Sequence, residues 1–183
     1  MIKVVAFDLI GVLIGEKNID LSSDEDKLER IFGPNLSDTE FIKQGKEKVN
    51  GNIDIMNTAE NIIFKLYYVR QDNVFEQLKE KYKDIKLIIA TNHISVVRKY
   101  IEKVFNIKYL DDIIISAEIN KIKPNEDFYQ YILDKYGILP KELLFLDDNQ
   151  ENVDGAKRIG INTIKIDRET DILNAIINYL ENQ

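Results

Sequence analysis

Five short, uninterrupted apolar runs leave this chain little freedom in how it folds. They are expected as strands at Lys3–Asp8, Lys86–Thr91, Asp112–Ser116, Leu143–Asp147 and Asn162–Ile166. A strand with one face in water alternates apolar and polar residues. Runs such as Val4-Val5-Ala6-Phe7 and Leu143-Leu144-Phe145-Leu146 do not alternate, so both faces must be covered, the pattern of a parallel sheet between helical layers. Helical patterns separate the runs. Ile94, Val97, Ile101, Val104 and Phe105 share one face, as do Phe128, Tyr129, Ile132, Leu133 and Tyr136. A last helix carries Ile172, Leu173, Ile176 and Leu180. Strand–helix–strand alternation implies a doubly wound α/β core. In such sheets the active crevice lies off the carboxyl ends of the strands. Asp8, Thr91 and Asp147 all fall at those ends.

Residues 16–72 break the alternation, and no strand is expected there. One helix is expected around Leu28, Ile31 and Phe32, and a second is opened by a Ser37-x-x-Glu40 capping box. A third carries Ala59, Ile62, Ile63 and Leu66 at helical spacing. Gly33-Pro34 and Asn50-Gly51-Asn52 punctuate them. The expected division is a core of residues 1–15 and 73–183 with a small, all-helical insert at 16–72. Directly after the first strand, such an insert is either a cap over the crevice or a helical layer packed on the core.

Composition narrows the function classes. The chain has 183 residues, 44% apolar and 31% charged, enough for one globular core with a small insert. It has no cysteine, which excludes disulfides, thiolate metal sites and a cysteine nucleophile. A net charge of −7 argues against a general nucleic-acid binder. No run approaches the ~20 apolar residues that span a bilayer, and the first residues lack the pattern of a secretion signal. A cytoplasmic protein without nucleic-acid or membrane partners is expected; the sequence leaves its oligomeric state open.

Four polar clusters sit at strand ends or turns. Asp8 ends an apolar run and is followed by Gly11-Val12-Leu13, so a buried strand delivers one carboxylate into a turn. Such a carboxylate can form a covalent phosphoryl or acyl intermediate, or hold a cation. The carbonyl of Ile10 could also ligate a hard cation, which takes oxygen donors. Thr91-Asn92 offers a hydroxyl and amides to an anion, although a helix N-cap would use the same residues. Lys123 precedes Pro124, which suits the first turn of a helix. A lysine at that positive helix end is unfavourable unless an anion or carboxylate neutralises it. Lys121, nearby, is assigned to solvent. Asp147-Asp148-Asn149 is the sharpest cluster: adjacent acids after a buried run repel one another unless a cation is near. His93 is the one histidine, read as packing at a helix start rather than as a catalyst.

Taken together, these residues resemble the haloacid dehalogenase-like hydrolase superfamily. Phe7-Asp8-Leu9-Ile10-Gly11-Val12-Leu13 is similar to its nucleophile loop and Ile89-Ala90-Thr91-Asn92 to its second motif. Lys123-Pro124-Asn125 with Phe128-Tyr129 resembles its lysine motif, and Phe145-Leu146-Asp147-Asp148-Asn149 its acidic metal motif. No one motif is specific, but the ordered set covers nearly the whole chain. The resemblance implies a Rossmann-like core with a helical cap. It implies phosphohydrolase chemistry on a small phosphorylated metabolite, possible sugar phosphates included, through an aspartyl-phosphate on Asp8. It also implies Mg²⁺ held by Asp8, the Ile10 carbonyl and Asp148 with Asp147 close by, and phosphoryl oxygens cradled by Thr91, Asn92 and Lys123.

Ile10 departs from that pattern. Most phosphatases resembling this chain carry a second aspartate there, which protonates the leaving oxygen and then activates water. Losing a general acid–base costs on the order of 10²–10⁴ in rate. Three readings follow: a phosphatase that tolerates the loss, a binding protein on an enzyme scaffold, or a metal-independent dehalogenase. The intact acidic pair argues against the last.

Overall fold

The computed structural model describes residues 1–33, 37–51 and 53–182. Pro34 and Asn52 of the expected punctuation lie outside them. In chain order the elements are β1 (Val4–Phe7), β2 (Ile14–Glu16), α1 (Ser23–Glu29), α2 (Asp38–Lys48), α3 (Ile55–Leu66), β3 (Tyr67–Val69) and α4 (Val74–Lys81). There follow β4 (Lys86–Thr91), α5 (Val97–Val104), β5 (Asp112–Ile115), the single turn α6 (Ser116–Ile119), α7 (Glu126–Tyr136), β6 (Leu143–Asp147), α8 (Gln150–Arg158), β7 (Asn162–Lys165) and α9 (Ile172–Glu181).

Five strands form one parallel sheet in the order β5-β4-β1-β6-β7. The expected runs become its strands. Val4–Phe7 and Leu143–Asp147 are buried along their whole length because helices cover both faces. One face carries Val5, Phe7, Leu87 and Ile89 into a large apolar cluster; the other carries Val4, Ala6, Ile88 and Phe145 onto α7. This period-2 division is the pleat of a strand buried on both sides. The chain leaves β1 for β4 and β5 on one side, then returns to β6 and β7 on the other. That reversal at β1 is the topological switch point, where side chains from both halves meet at the carboxyl ends.

The three expected helices lie between β2 and β3 and pack on one another, with α3 also against α5. Their starts follow from local chemistry. Ser22 and Glu25 make a full reciprocal capping box on α1. At α2 only half of the expected box forms: Ser37 accepts from the Glu40 amide, while the Glu40 carboxylate takes the Gln44 side chain instead. Leu28, Phe41, Ala59, Ile62 and Ile63 are fully buried, so these helices have an apolar interior continuous with the core.

Two expectations need correction. Tyr67–Val69 is a strand, paired antiparallel with β2, so a two-stranded flap closes the base of the helical segment. Three residues abutting the end of α3 carry too little pattern to be read as a strand. Pro124 does not open a helix: α7 begins at Glu126 with Asn125 at its N-cap, and the Lys123–Pro124 peptide is cis. Among the described residues no helix is long and apolar enough to cross a membrane.

Candidate active site

At the carboxyl end of the sheet, Lys123 joins two strands. Its Nζ donates to Asp8 Oδ1 at 2.6 Å and to Asp147 Oδ2 at 2.7 Å. The Lys123 side chain is 1% exposed and that of Asp147 0%. Neighbouring strands bring the two acids together: β1 pairs with β6, and the Asp8 amide extends the ladder to the Leu146 carbonyl at 2.8 Å. The Asp147 carboxylate is saturated. Oδ1 accepts from the Asn149 amide at 2.8 Å, and the Asn152 side chain reaches both oxygens at 3.1 Å. Fully partnered, Asp147 serves to fix the ammonium of Lys123.

Asp148 completes the cluster. One carboxylate oxygen from each of Asp8, Asp147 and Asp148 lies within 4.8 Å of the other two. Gly11 makes this approach possible: with φ +84 it adopts the left-handed turn after Asp8, and a Cβ there would collide with the Asp148 carboxylate. Three carboxylates against one ammonium leave carboxylate oxygen in excess, which suits a divalent cation with hard oxygen ligands.

The electrostatics follow the same imbalance. Burial pushes the Asp8 carboxyl up to about 7; Asp147 adds to the rise and Lys123 opposes it. Asp148 is also raised, by burial first and then by Asp147. Burial alone would lower Lys123, but Asp8 and Asp147 outweigh it and hold the ammonium above its ordinary value.

Thr91 ends β4 and is buried beside the cluster's strand. The Asn92 carboxamide makes a pair of bonds to the lysine loop. Its Nδ2 donates to the Lys123 carbonyl and its Oδ1 accepts from the Lys123 amide, both at 2.9 Å. It therefore holds the lysine loop. Lys121 is drawn away to Asp127 at 3.2 Å, as expected of a solvent-side residue.

His93 is 1% exposed. Its Nε2 meets the Tyr67 hydroxyl at 3.0 Å, its Nδ1 meets the Ile94 carbonyl at 3.2 Å, and Phe32 packs on its ring. Burial lowers its pKa to about 4, so it is a neutral packing residue at the joint between core and helical segment.

The match to known proteins agrees with this geometry. Residues 7–166 fit the model of the haloacid dehalogenase-like hydrolases, from the strand of Asp8 to the end of β7. The chain belongs to that family. It is 23% identical over 182 aligned residues to the phosphorylated carbohydrates phosphatase of Thermotoga maritima, spanning 88% of this chain and 83% of that one. Its fold superposes on a HAD-like family hydrolase from Porphyromonas gingivalis with a TM-score of 0.78, at 22% identity and full coverage of both chains. It also superposes on a HAD family enzyme from Bacteroides thetaiotaomicron solved with magnesium and inorganic phosphate, with a TM-score of 0.74, at 19% identity and coverage of 96% and 99%.

One residue of this family member went unread in the sequence. Arg70, at the foot of β3, donates to four backbone carbonyls. Its Nη1 reaches Gly11 and, at 3.2 Å, Val12; its Nη2 reaches Asp167 at 2.8 Å and Arg168 at 2.9 Å. It pins the turn after Asp8 to the loop after β7. Its partners are backbone atoms up to 98 residues away, so no local signal marks it.

Proposed function

We propose that this hydrolase is a Mg²⁺-dependent phosphatase of small phosphate monoesters, sugar phosphates among them, acting through an aspartyl-phosphate on Asp8. The observation that carries the reading is the Lys123 bridge between Asp8 and Asp147, with Asp148 in the same carboxylate cluster. The bridge aims the Asp8 carboxylate by fixing Oδ1, and leaves Oδ2 to attack phosphorus. Lys123, with Thr91 beside it, faces the negative charge of the transferring group, the electrostatic stabilisation on which such chemistry depends. Asp147 orients Lys123 and Asn92 holds its backbone.

The donor set fits the cation: Asp8, the Ile10 carbonyl and Asp148 would hold it, with Asp147 behind them. When bound, Mg²⁺ supplies positive charge against the phosphoryl oxygens. The segment 16–72 is read as the cap, with the flap at its base. The names of the relatives, a phosphorylated carbohydrates phosphatase and an enzyme solved with magnesium and phosphate, support the same reading.

Ile10 favours a second reading, a scaffold that binds phosphate esters with little turnover, because its side chain cannot protonate a leaving oxygen. A panel of phosphate esters with and without EDTA separates the two. Phosphate release that EDTA abolishes supports the phosphatase; tight binding without release supports the binder. Asp8→Asn is expected to lower turnover at least 10³-fold while the melting temperature stays within a few degrees. Unchanged turnover removes Asp8 as nucleophile. Halide release from a short haloacid without metal would instead make the chain a dehalogenase.

A further inference from the structure

Next to the carboxylate cluster lies a cavity of about 910 Å³ whose inner wall is Ile10, Gly11 and Asp148. Its other described walls are the flap with the residues that follow β2, and the loop after β7. We infer that this cavity receives the leaving group, that the leaving group is a neutral polyhydroxylated one, and that Tyr68 is the specificity-determining residue. The inference rests on the phosphatase reading above and adds where the substrate is recognised and by what chemistry.

The lining makes that choice. Four Lys or Arg side chains face four Asp or Glu side chains, so the cavity has no net sign with which to select a second anionic group. Two of the cations are already committed. Arg70 is spent on four carbonyls, and Lys165 on those of Asp148 and Ile166. What remains is a dense set of donors and acceptors, including Glu16, Asn18 and Arg168, suited to hydroxyls.

One apolar surface stands among them. β3 alternates: Tyr67 turns inward onto His93, and Tyr68 turns outward into the cavity, 46% exposed. A Cβ on Gly15 would meet the Tyr68 ring at 2.6 Å, so the glycine makes room for the ring beside β2. A half-exposed aromatic ring among hydrogen-bonding groups matches the amphipathic faces of a sugar. Ile10 lies between this platform and the carboxylates, where an ester oxygen would join the two halves of the substrate.

The test compares glucose 6-phosphate, acetyl phosphate and pyrophosphate as substrates of wild type, Tyr68→Ala, Tyr68→Phe and Arg168→Ala. Tyr68→Ala is expected to raise KM for the hexose phosphate at least tenfold more than for acetyl phosphate, whose leaving group is too small to reach the ring. Tyr68→Phe restores most of the loss, and Arg168→Ala raises the hexose KM several-fold if Tyr68→Ala does not fold. Equal losses on both esters, or a wild-type preference for pyrophosphate, overturn the proposal while leaving the phosphatase standing. If wild type hydrolyses none of the three, the phosphatase reading fails, and calorimetric titration with glucose 6-phosphate decides the cavity alone. Binding weakened by Tyr68→Ala supports the cavity as the sugar site; absent binding, or binding untouched by the substitution, overturns it.

Discussion

The two sides of the nucleophile turn are built on opposite plans. On the Asp8 side, Lys123, Asp147, Asn149 and Asn152 form a closed network in which each Asp147 oxygen has two partners and the lysine is almost wholly buried. Two residues on, Ile10 faces a wide cavity with half-exposed, mixed-charge walls. A buried ion cluster is costly unless every member is paired. Loss of its one cation is therefore costly, and its residues stand at the ends of rigid central strands. The cavity side hangs on a flap of three-residue strands and a loop, joined by Arg70. Under the proposed phosphatase reading the difference separates two tasks: the closed side would set the chemistry and the open side the substrate.

The largest break in that comparison is Lys123→Met. It leaves the carboxylates of Asp8 and Asp147 facing one another without a cation in the interior. Removing one partner of a buried charge network costs about 3–5 kcal/mol. Urea denaturation is expected to show a loss of that size, with turnover gone. A loss below about 1 kcal/mol would mean that the network does not hold the closed side together.

Next in size is a pH effect at the joint between them. His93 has a folded pKa of about 4 against an ordinary 6.5. As pH falls, the unfolded chain takes up this proton first, while the buried imidazole, between Tyr67 and the Ile94 carbonyl, refuses it. The contribution is complete above pH 6.5 and is lost progressively down to pH 4. Its full span is about 3 kcal/mol at 1.36 kcal/mol per pKa unit. His93→Gln removes the titration. Stability curves of wild type and variant are expected to converge by that amount between pH 6.5 and 4, and parallel curves would mean that His93 is protonated in the fold.

The sequence carries the closed side more legibly than the open one, for a physical reason. Strands buried on both faces must be continuously apolar, so β1, β4 and β6 announce themselves, and the residues at their ends converge by topology alone. That is how Asp8, Thr91, Asp147 and Asp148 were readable. Lys123 was singled out on the expectation of a helix opening at Pro124, but α7 starts at Glu126 and the anions that neutralise the lysine are Asp8 and Asp147. The open side has no such periodicity. Tyr67–Val69 follows α3 without a break signal, and Arg70 bonds to backbone atoms that sequence cannot show. Asn92 was assigned to the phosphate because an amide at a strand end suits an anion. Its use in holding Lys123 depends on a loop 31 residues away. Within residues 16–72, Phe41 is buried in the apolar interior, and Tyr68 stands in the cavity.

The smallest effect is the most direct test of how the two sides meet. Ile10→Asp places a carboxyl where the cavity adjoins the cluster. If the site is merely short of a proton donor, kcat/KM for an alkyl phosphate should rise at least tenfold, or about 1.4 kcal/mol, within the general-acid range. The gain should shrink for acetyl phosphate, whose departing carboxylate needs no proton. That contrast separates proton donation from a mere change of charge beside Asp148, which would act on both esters alike. No gain on either ester would mean that proton transfer is already handled from the cavity walls. The open side would then supply chemistry as well as selection, and the division of tasks between the two sides would fail.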